Sequence, residues 1–187
     1  DTLVGYTLCK MQSKGKQLVF ILIMSTLMVP TEMLIIPWYL MSAQLKWLNT
    51  YWSVMFPGLI TAFGIFMMRQ FFEGVPDELL EAARIDGLNE LGIYARIALP
   101  LVMPAVSALA IFTFLGNWNA FLRPVIIVSN KESVPLPVGL AMFPTENNPE
   151  WERIMTAAAL GTVLVLAVFM GFQRQIIEGI NLSGLKA

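Results

Sequence analysis

Three groups of residues in this chain have types and spacings that could do work. Glu81-Ala82-Ala83, Gly87 and Ile97-x-Leu99-Pro100 form one run with the spacing E-A-A-x3-G-x9-I-x-L-P. It lies in a polar stretch between two long apolar segments. Asn117, Trp118 and Asn119 set a ring between two amides. A ring that stacks on the C–H face of a sugar, with amides that satisfy its hydroxyls, is the chemistry of a sugar path. The same residue types also serve as an interfacial anchor and as interhelical amide bonding, so both readings stand. Glu32 falls near the middle of an apolar segment, where an ionised carboxylate costs several kcal/mol unless it faces water or a partner.

Covalent and acid–base chemistry are thinly supplied. The chain has no histidine and one cysteine, Cys9. That excludes a disulfide framework, a Cys/His metal site and any His-dependent dyad. Glu32 and Asp86 could be offered as the acid and base of a membrane-embedded enzyme, but the segments that carry them put them at different membrane depths. No G-x-x-x-x-G-K-[S/T] loop occurs, so the chain has no phosphate-binding loop for hydrolysing ATP.

The elements that must position these residues follow from composition. At 187 residues, 57% apolar and only 13% charged, the chain has too little polar surface to cover a globule of its size, and the bilayer is its expected solvent. A net charge of −1, with no basic run interleaved with aromatics, argues against a nucleic-acid partner. Four segments read as helical spans: Leu18 to Leu40, interrupted by Pro30, Glu32 and Pro37; Tyr51 to Met68; Leu101 to about Leu122; and Ile154 to Phe172. Thr2 to Cys9 is apolar but far shorter than the about 20 residues a helix needs to cross a bilayer. It is expected to be the tail of a span whose beginning is missing. The fold class expected is all-α: a polytopic transmembrane helical bundle of four full spans plus that remnant, one membrane domain over residues 1–187.

Orientation follows from Lys and Arg counted on alternate sides. Lys10, Lys14, Lys16, Arg69, Arg84, Arg96, Arg174 and Lys186 fall on one side; Lys46, Arg123, Lys131 and Arg153 fall on the other. The richer side is cytoplasmic by the positive-inside rule. It carries the loop at 72–100 and the tail at 173–187. Asn49 and the loop from Val128 to Trp151, with its turn at Glu146 to Pro149, are then outside. Met24, Met28 and Met33 read as adaptable packing. Gly64 and Gly161 read as sites of close helix approach.

Within the cytoplasmic loop, Pro76 can take the first position of a helix, and Asp77, Glu78 and Glu81 put negative charge near its positive end. Asp86-Gly87 ends it with a residue able to take positive φ. Any side chain at Gly87 is expected to meet both a φ penalty and a steric one. Glu90 to Ala98 is a second helical stretch, and Pro100 marks entry to the third span. The paired alanines Ala82 and Ala83 let the backbone approach another surface closely, as a knob approaches a socket. A loop resting on its own domain or on headgroups is the competing reading.

This spacing resembles the EAA loop of ABC importer permeases, and Glu81-Ala82-Ala83-Arg84-Ile85-Asp86-Gly87 with Leu99-Pro100-x-x-x-Pro104 resembles the carbohydrate, maltose-permease-like branch of that family. Asn49-Thr50-Tyr51-Trp52, Phe63-Gly64-Ile65-Phe66, Arg69-Gln70-Phe71-Phe72, Trp118-Asn119 with Phe121, and Leu136-Pro137-Val138-Gly139-Leu140 are similar to it too. So is the ending from Phe172 through Gly179 to Lys186, and the resemblance thus covers nearly the whole chain.

The resemblance implies a bacterial inner-membrane subunit that pairs with a second homologous permease, sits on a dimer of ATP-binding cassette ATPases, and receives sugar from an extracytoplasmic solute-binding protein. It implies that Glu81, Ala82, Ala83, Asp86 and Gly87 dock on the ATPase, and that Ile97, Leu99 and Pro100 fix this element to the third span. The tail at 173–187 resembles a segment that also reaches the ATPase. No cofactor is expected on this chain, since ATP and magnesium belong to the partner. Members of that family carry more spans than this chain does. The alternatives are a permease for a non-sugar solute such as an amino acid, glycerol phosphate or phosphonate, a stand-alone channel, and a membrane-embedded enzyme.

Overall fold

The computed structural model describes residues 1–130, 134–142 and 151–184, and the side chains among these up to residue 173. Lys131, the turn at Glu146 to Pro149, Lys186 and the side chain of Arg174 lie outside the described residues. Among the described residues every regular element is helical.

Two runs are long and apolar enough to cross a membrane, Tyr51–Glu73 and Trp151–Gln173. The number rises to four if each bent pair is one span: Lys16–Met28 with Thr31–Gln44, and Glu90–Leu101 with Met103–Trp118. The apolar segments therefore fall where the sequence reading put them, but two are sharply bent and Tyr51–Glu73 is interrupted between α4 and α5, with Thr61 extended. The chain divides into two compact units: Asp1–Val29, Ile60–Ala110 and Phe172–Ala187 form the first, and Pro30–Leu59 and Ile111–Gly171 the second.

The first unit holds α1 (Thr2–Lys10), α2 (Lys16–Ser25) and, further along the chain, α5 (Ala62–Glu73), α6 (Asp77–Ile85), α7 (Glu90–Ile93) and α8 (Leu99–Leu101). Its core joins Tyr6, Met68, Phe72, Leu80, Ala83, Ile93, Ala98 and Ala105. α1 can lie close along α5 because Gly5 has no Cβ: one added there would stand 2.9 Å from the Arg69 nitrogen and from the Met68 Cβ. Tyr6, Phe72 and Tyr94 form an aromatic cluster, with centroids 5.4 Å apart for Tyr6 and Phe72 and 5.3 Å for Tyr6 and Tyr94. At the other face of α5, the Arg69 guanidinium lies 3.9 Å from the ring centroid of Phe20.

The second unit holds α3 (Ile35–Gln44), α4 (Tyr51–Leu59), α10 (Leu122–Ile127) and α11 (Leu136–Met142). Pro57 cannot donate to the carbonyl of Ser53 four residues back, and the Trp38 indole N–H takes that place at 2.8 Å. The exchange ties α3 to α4, and Trp38, Trp47 and Phe56 stack around it. Asn49, at φ 61°, accepts from the backbone N–H groups of Ser129 (2.6 Å) and Asn130 (3.1 Å). Asn thus holds a left-handed turn that most side chains disfavour. Gly161 of α12 (Trp151–Gly184) faces the end of the Leu136 side chain of α11, which would have to shift to admit a Cβ.

Proline accounts for both sharp bends. Val29, extended before Pro30, gives its N–H to the Thr26 carbonyl at 3.2 Å, the acceptor that the missing Pro30 donor would have left bare. The first span is thus two helices with 3₁₀ turns between them, not one run from Leu18 to Leu40. In the third, helix continues through Pro100, and the 81° bend falls at Val102, where Pro104 cannot donate to the Pro100 carbonyl. α9 (Met103–Trp118) then ends four residues short of Leu122, which begins α10. α12 runs on to Gly184, so much of the expected tail at 173–187 is a continuation of the last span's helix.

Candidate functional site

α6 begins at Asp77, one residue later than the sequence suggested, with Pro76 at φ −60° and ψ 133° directly before it. Asp77 and Glu78 occupy its first turn and Arg84 its last, matching the helix dipole at both ends. Its C-terminus is closed by two backbone bonds, from Leu88 N–H to the Ala83 carbonyl (3.0 Å) and from Gly87 N–H to the Arg84 carbonyl (3.1 Å). With Gly87 at φ 85°, this is a Schellman closure. Leu88 folds back against the core, and Asn89 caps α7 by accepting from the Gly92 N–H at 2.8 Å. A Cβ at Gly87 would meet nothing within 4 Å, so the steric penalty expected there is absent and only the φ penalty applies within this chain.

The helix has two distinct faces. Leu80 (1% exposed) and Ala83 (4%) point into the core. Glu78, Glu81, Ala82 and Ile85 share the opposite face at helical spacing and are exposed, Ile85 by 87%. The expected knob is therefore not the pair of alanines. Ala82 faces outward, while Ala83 packs in the chain's own core. Asp86 and Gly87 are exposed at the tip, and Leu91, 66% exposed, stands just beyond it. Sequence reasoning missed Ile85 and Leu91. The signal was available, because Glu78, Glu81, Ala82 and Ile85 follow the i, i+3, i+4, i+7 pattern.

The segment is hung from its own unit by polar contacts as well as by packing. Lys10 Nζ, on a side chain only 8% exposed, donates to the Val75 carbonyl and to Asp77 Oδ1, both at 2.7 Å. Arg84 Nε donates to Glu90 Oε1 at 2.8 Å, and the Tyr6 hydroxyl donates to Glu90 Oε2 at 3.3 Å. Thr2 Oγ1 and the Tyr94 hydroxyl share a hydrogen bond of 2.7 Å. The Lys10 ammonium holds the Asp77 carboxyl below the usual carboxylate range. The Arg84 guanidinium does the same for Glu90, which in turn raises Arg84. A further turn, π-helical from Tyr94 to Ala98, carries Ile97 against the core, with Ala98 fully buried; Leu99 is half-buried and Pro100 exposed.

The other candidates are placed differently. Glu32 sits in the 3₁₀ turn after Pro30, exposed, and its carboxylate accepts from the adjacent Thr31 hydroxyl at 3.4 Å. Glu32 thus lies at the break between the two helices of the first apolar segment. Asn117 donates from Nδ2 to the Thr113 carbonyl one turn back (2.8 Å) and packs over Gly58, where an added Cβ would lie 2.6 Å from its Oδ1. Trp118 stacks on Phe114 with centroids 5.6 Å apart. Asn119 is exposed. Two of the three residues are thus engaged within their own helix or against α4. Among the residues whose side chains are described, no cluster of His, Cys, Asp or Glu could hold a metal ion.

Among the described residues the chain is all-helical, with apolar runs of membrane-crossing length and a polar helical hairpin packed on a core, which is the fold of a helical membrane protein. A family model described as the binding-protein-dependent transport system inner membrane component matches residues 2–181, and the chain belongs to that family. It is 35% identical over 186 residues to the arabinooligosaccharides transport system permease protein AraQ of Halalkalibacterium halodurans, covering 100% of this chain and 67% of AraQ. It is 33% identical over 179 residues to the lactose transport system permease protein LacG of Rhizobium radiobacter, covering 96% of this chain and 66% of LacG. The chain thus spans about two thirds of the length of the relatives it matches. A crystal structure of a bacterial ABC transporter involved in the import of the acidic polysaccharide alginate superposes with a TM-score of 0.80 at 24% identity, over 92% of this chain and 66% of that one. That likeness speaks to the fold.

Proposed function

We propose that the chain belongs to a permease subunit of an ATP-driven importer that moves a sugar, oligosaccharide or polyol across the cytoplasmic membrane. In this reading α6 and the turn after it dock on a separate ATPase on the cytosolic side. The observation that carries the reading is the two-faced α6: a helix fastened to its own core by Leu80 and Ala83 that leaves Glu81, Ala82 and Ile85 bare beside a fixed glycine turn. In this reading the exposed Ile85, with Leu91 just beyond the tip, supplies the apolar contact that the ATPase surface covers. The similarity to AraQ and LacG supports a sugar as cargo.

The mechanism is mechanical. ATP and magnesium bind the partner; this chain supplies the handle, and rearrangement of the ATPase dimer would move the handle and with it the helices that line the path. A second permease would complete that path, and a solute-binding protein would deliver cargo from outside. The exposed apolar faces of α2, α4 and α12 fit lipid and that second permease.

The test is uptake by the full-length parent, reconstituted with its companion permease, ATPase and binding protein. Arabinooligosaccharides, lactose, glycerol phosphate and an amino acid are offered in turn. ATP-dependent uptake of a sugar supports the reading, uptake of only a non-sugar solute reassigns the cargo, and conductance without the ATPase overturns the importer.

A further inference from the structure

We infer that α1 is a strut that clamps the docking helix at both of its ends, so that displacement of α6 is delivered as a rigid-body movement to α1 and α5. The inference rests on the docking reading above and goes beyond it by naming the element that carries the load. One turn of α1 separates Tyr6 from Lys10, and the two residues reach opposite ends of the same segment. Lys10 holds the start of α6 through Asp77 Oδ1 and the Val75 carbonyl. Tyr6 holds its far end through Glu90, which also takes Arg84 from the last turn of α6. Between these staples Leu80 and Ala83 lie in the core shared with Tyr6 and Phe72, and Gly5 lets α1 rest directly on α5.

A helix held at one end can pivot about that point, whereas a helix held at both must take its support with it. The Lys10 side chain is shielded while Asp77 is 74% exposed, so salt screens the ion pair and the sheltered part of this staple is the bond from Lys10 to the Val75 carbonyl. Lys10, Tyr6 and Glu90 are positioning residues in this scheme, since each acts by holding a residue in or next to α6.

The experiment uses the full-length parent in its assembled transporter, with Cys9→Ala as background. Lys10→Cys with Asp77→Cys removes the first staple, and Glu90→Gln weakens the second. The expected result is an ATPase that still co-purifies and still hydrolyses ATP in response to sugar, while sugar moved per ATP falls about tenfold, within the range of coupling free energies between sites. Bridging the two introduced cysteines with a short bis-maleimide should then restore the ratio, which a general loss of stability would not allow. An unchanged ratio in the unbridged protein, or a lowered ratio that bridging leaves low, overturns the strut. Absence of sugar-stimulated hydrolysis in the unsubstituted transporter would instead sink the docking reading on which the strut stands.

Discussion

The α6 segment and the segment at Asn117 to Asn119 differ in what each leaves unsatisfied. In the first, Lys10 pairs with Asp77 and Arg84 with Glu90 within the chain, and the face left bare carries Glu78, Glu81, Ala82 and an apolar residue, Ile85. In the second, the residues with ligand chemistry are largely occupied: Asn117 by Thr113 and Gly58, Trp118 by Phe114. A preorganised surface with an open face is built for a partner, whereas side chains spent on their own helix are built for packing. On the reading proposed above, α6 and its turn are the surface offered to a partner and the Asn-Trp-Asn cluster is expected to act as scaffold.

The largest expected effect separates the two alanines. Ala83→Trp places an indole in a filled core and should cost at least about 3 kcal/mol, seen as loss of folded protein and a lowered Tm in detergent. Ala82→Trp, on the open face, should leave Tm unchanged yet abolish uptake and ATPase co-purification. Equal Tm for the two would erase the distinction between the faces. Ile85→Asp should follow Ala82→Trp, with ATPase association weakened about tenfold or more, as for loss of an anchoring side chain.

The second region is tested by Asn117→Ala. If Asn117 is scaffold, the change lowers Tm by several degrees, through about 1 kcal/mol for a lost side-chain hydrogen bond and the gap over Gly58. Half-saturation for sugar should stay within twofold. A large rise in that constant at unchanged Tm would return the residue to the sugar path and weaken the contrast. Gly87→Ala should be milder, because φ 85° costs a β-carbon about 1 kcal/mol while the space around it is open. Only a partner that closes on the turn could make the effect greater, so a severe uptake defect at near-normal Tm would be direct evidence of such contact.

Local signals in the sequence carried much of this. The apolar runs, the start of α6 near Pro76 and its end at Gly87 are legible because proline, glycine and charge placement act on their immediate neighbours. The scaffold was not legible, because Tyr6 meets Glu90 across 84 residues and Lys10 meets Asp77 across 67. The Trp38 bond to Ser53 was hidden for a related reason: Pro57 announces a bare carbonyl but not which donor will find it. The burial of Ala83 sat between these cases. Helical periodicity pairs it with Leu80 and sets it against Ala82, but an E-A-A triplet draws the eye to adjacency rather than to faces.

The smallest expected effect concerns pH, and it bears on how the loop is held. Asp77 and Glu90 both have folded-state pKa values lowered, by the hydrogen bonds from Lys10 and Arg84 respectively. A lowered carboxylate contributes attachment that is fully present above its unfolded pKa and is lost as pH falls through the folded one. Since ordinary Asp and Glu titrate near about 4, the staples should be intact throughout the neutral range. Transported sugar per ATP should therefore be flat between about pH 6 and pH 8 and fall only in acid well below that window. In Asp77→Asn the acid limb should shrink, because one of the two titrating attachments is gone at every pH. A ratio that instead varied steeply near neutrality would mean that some other group governs how the docking helix is held, and the difference between the paired loop and the rest of the chain would have to be sought in that group.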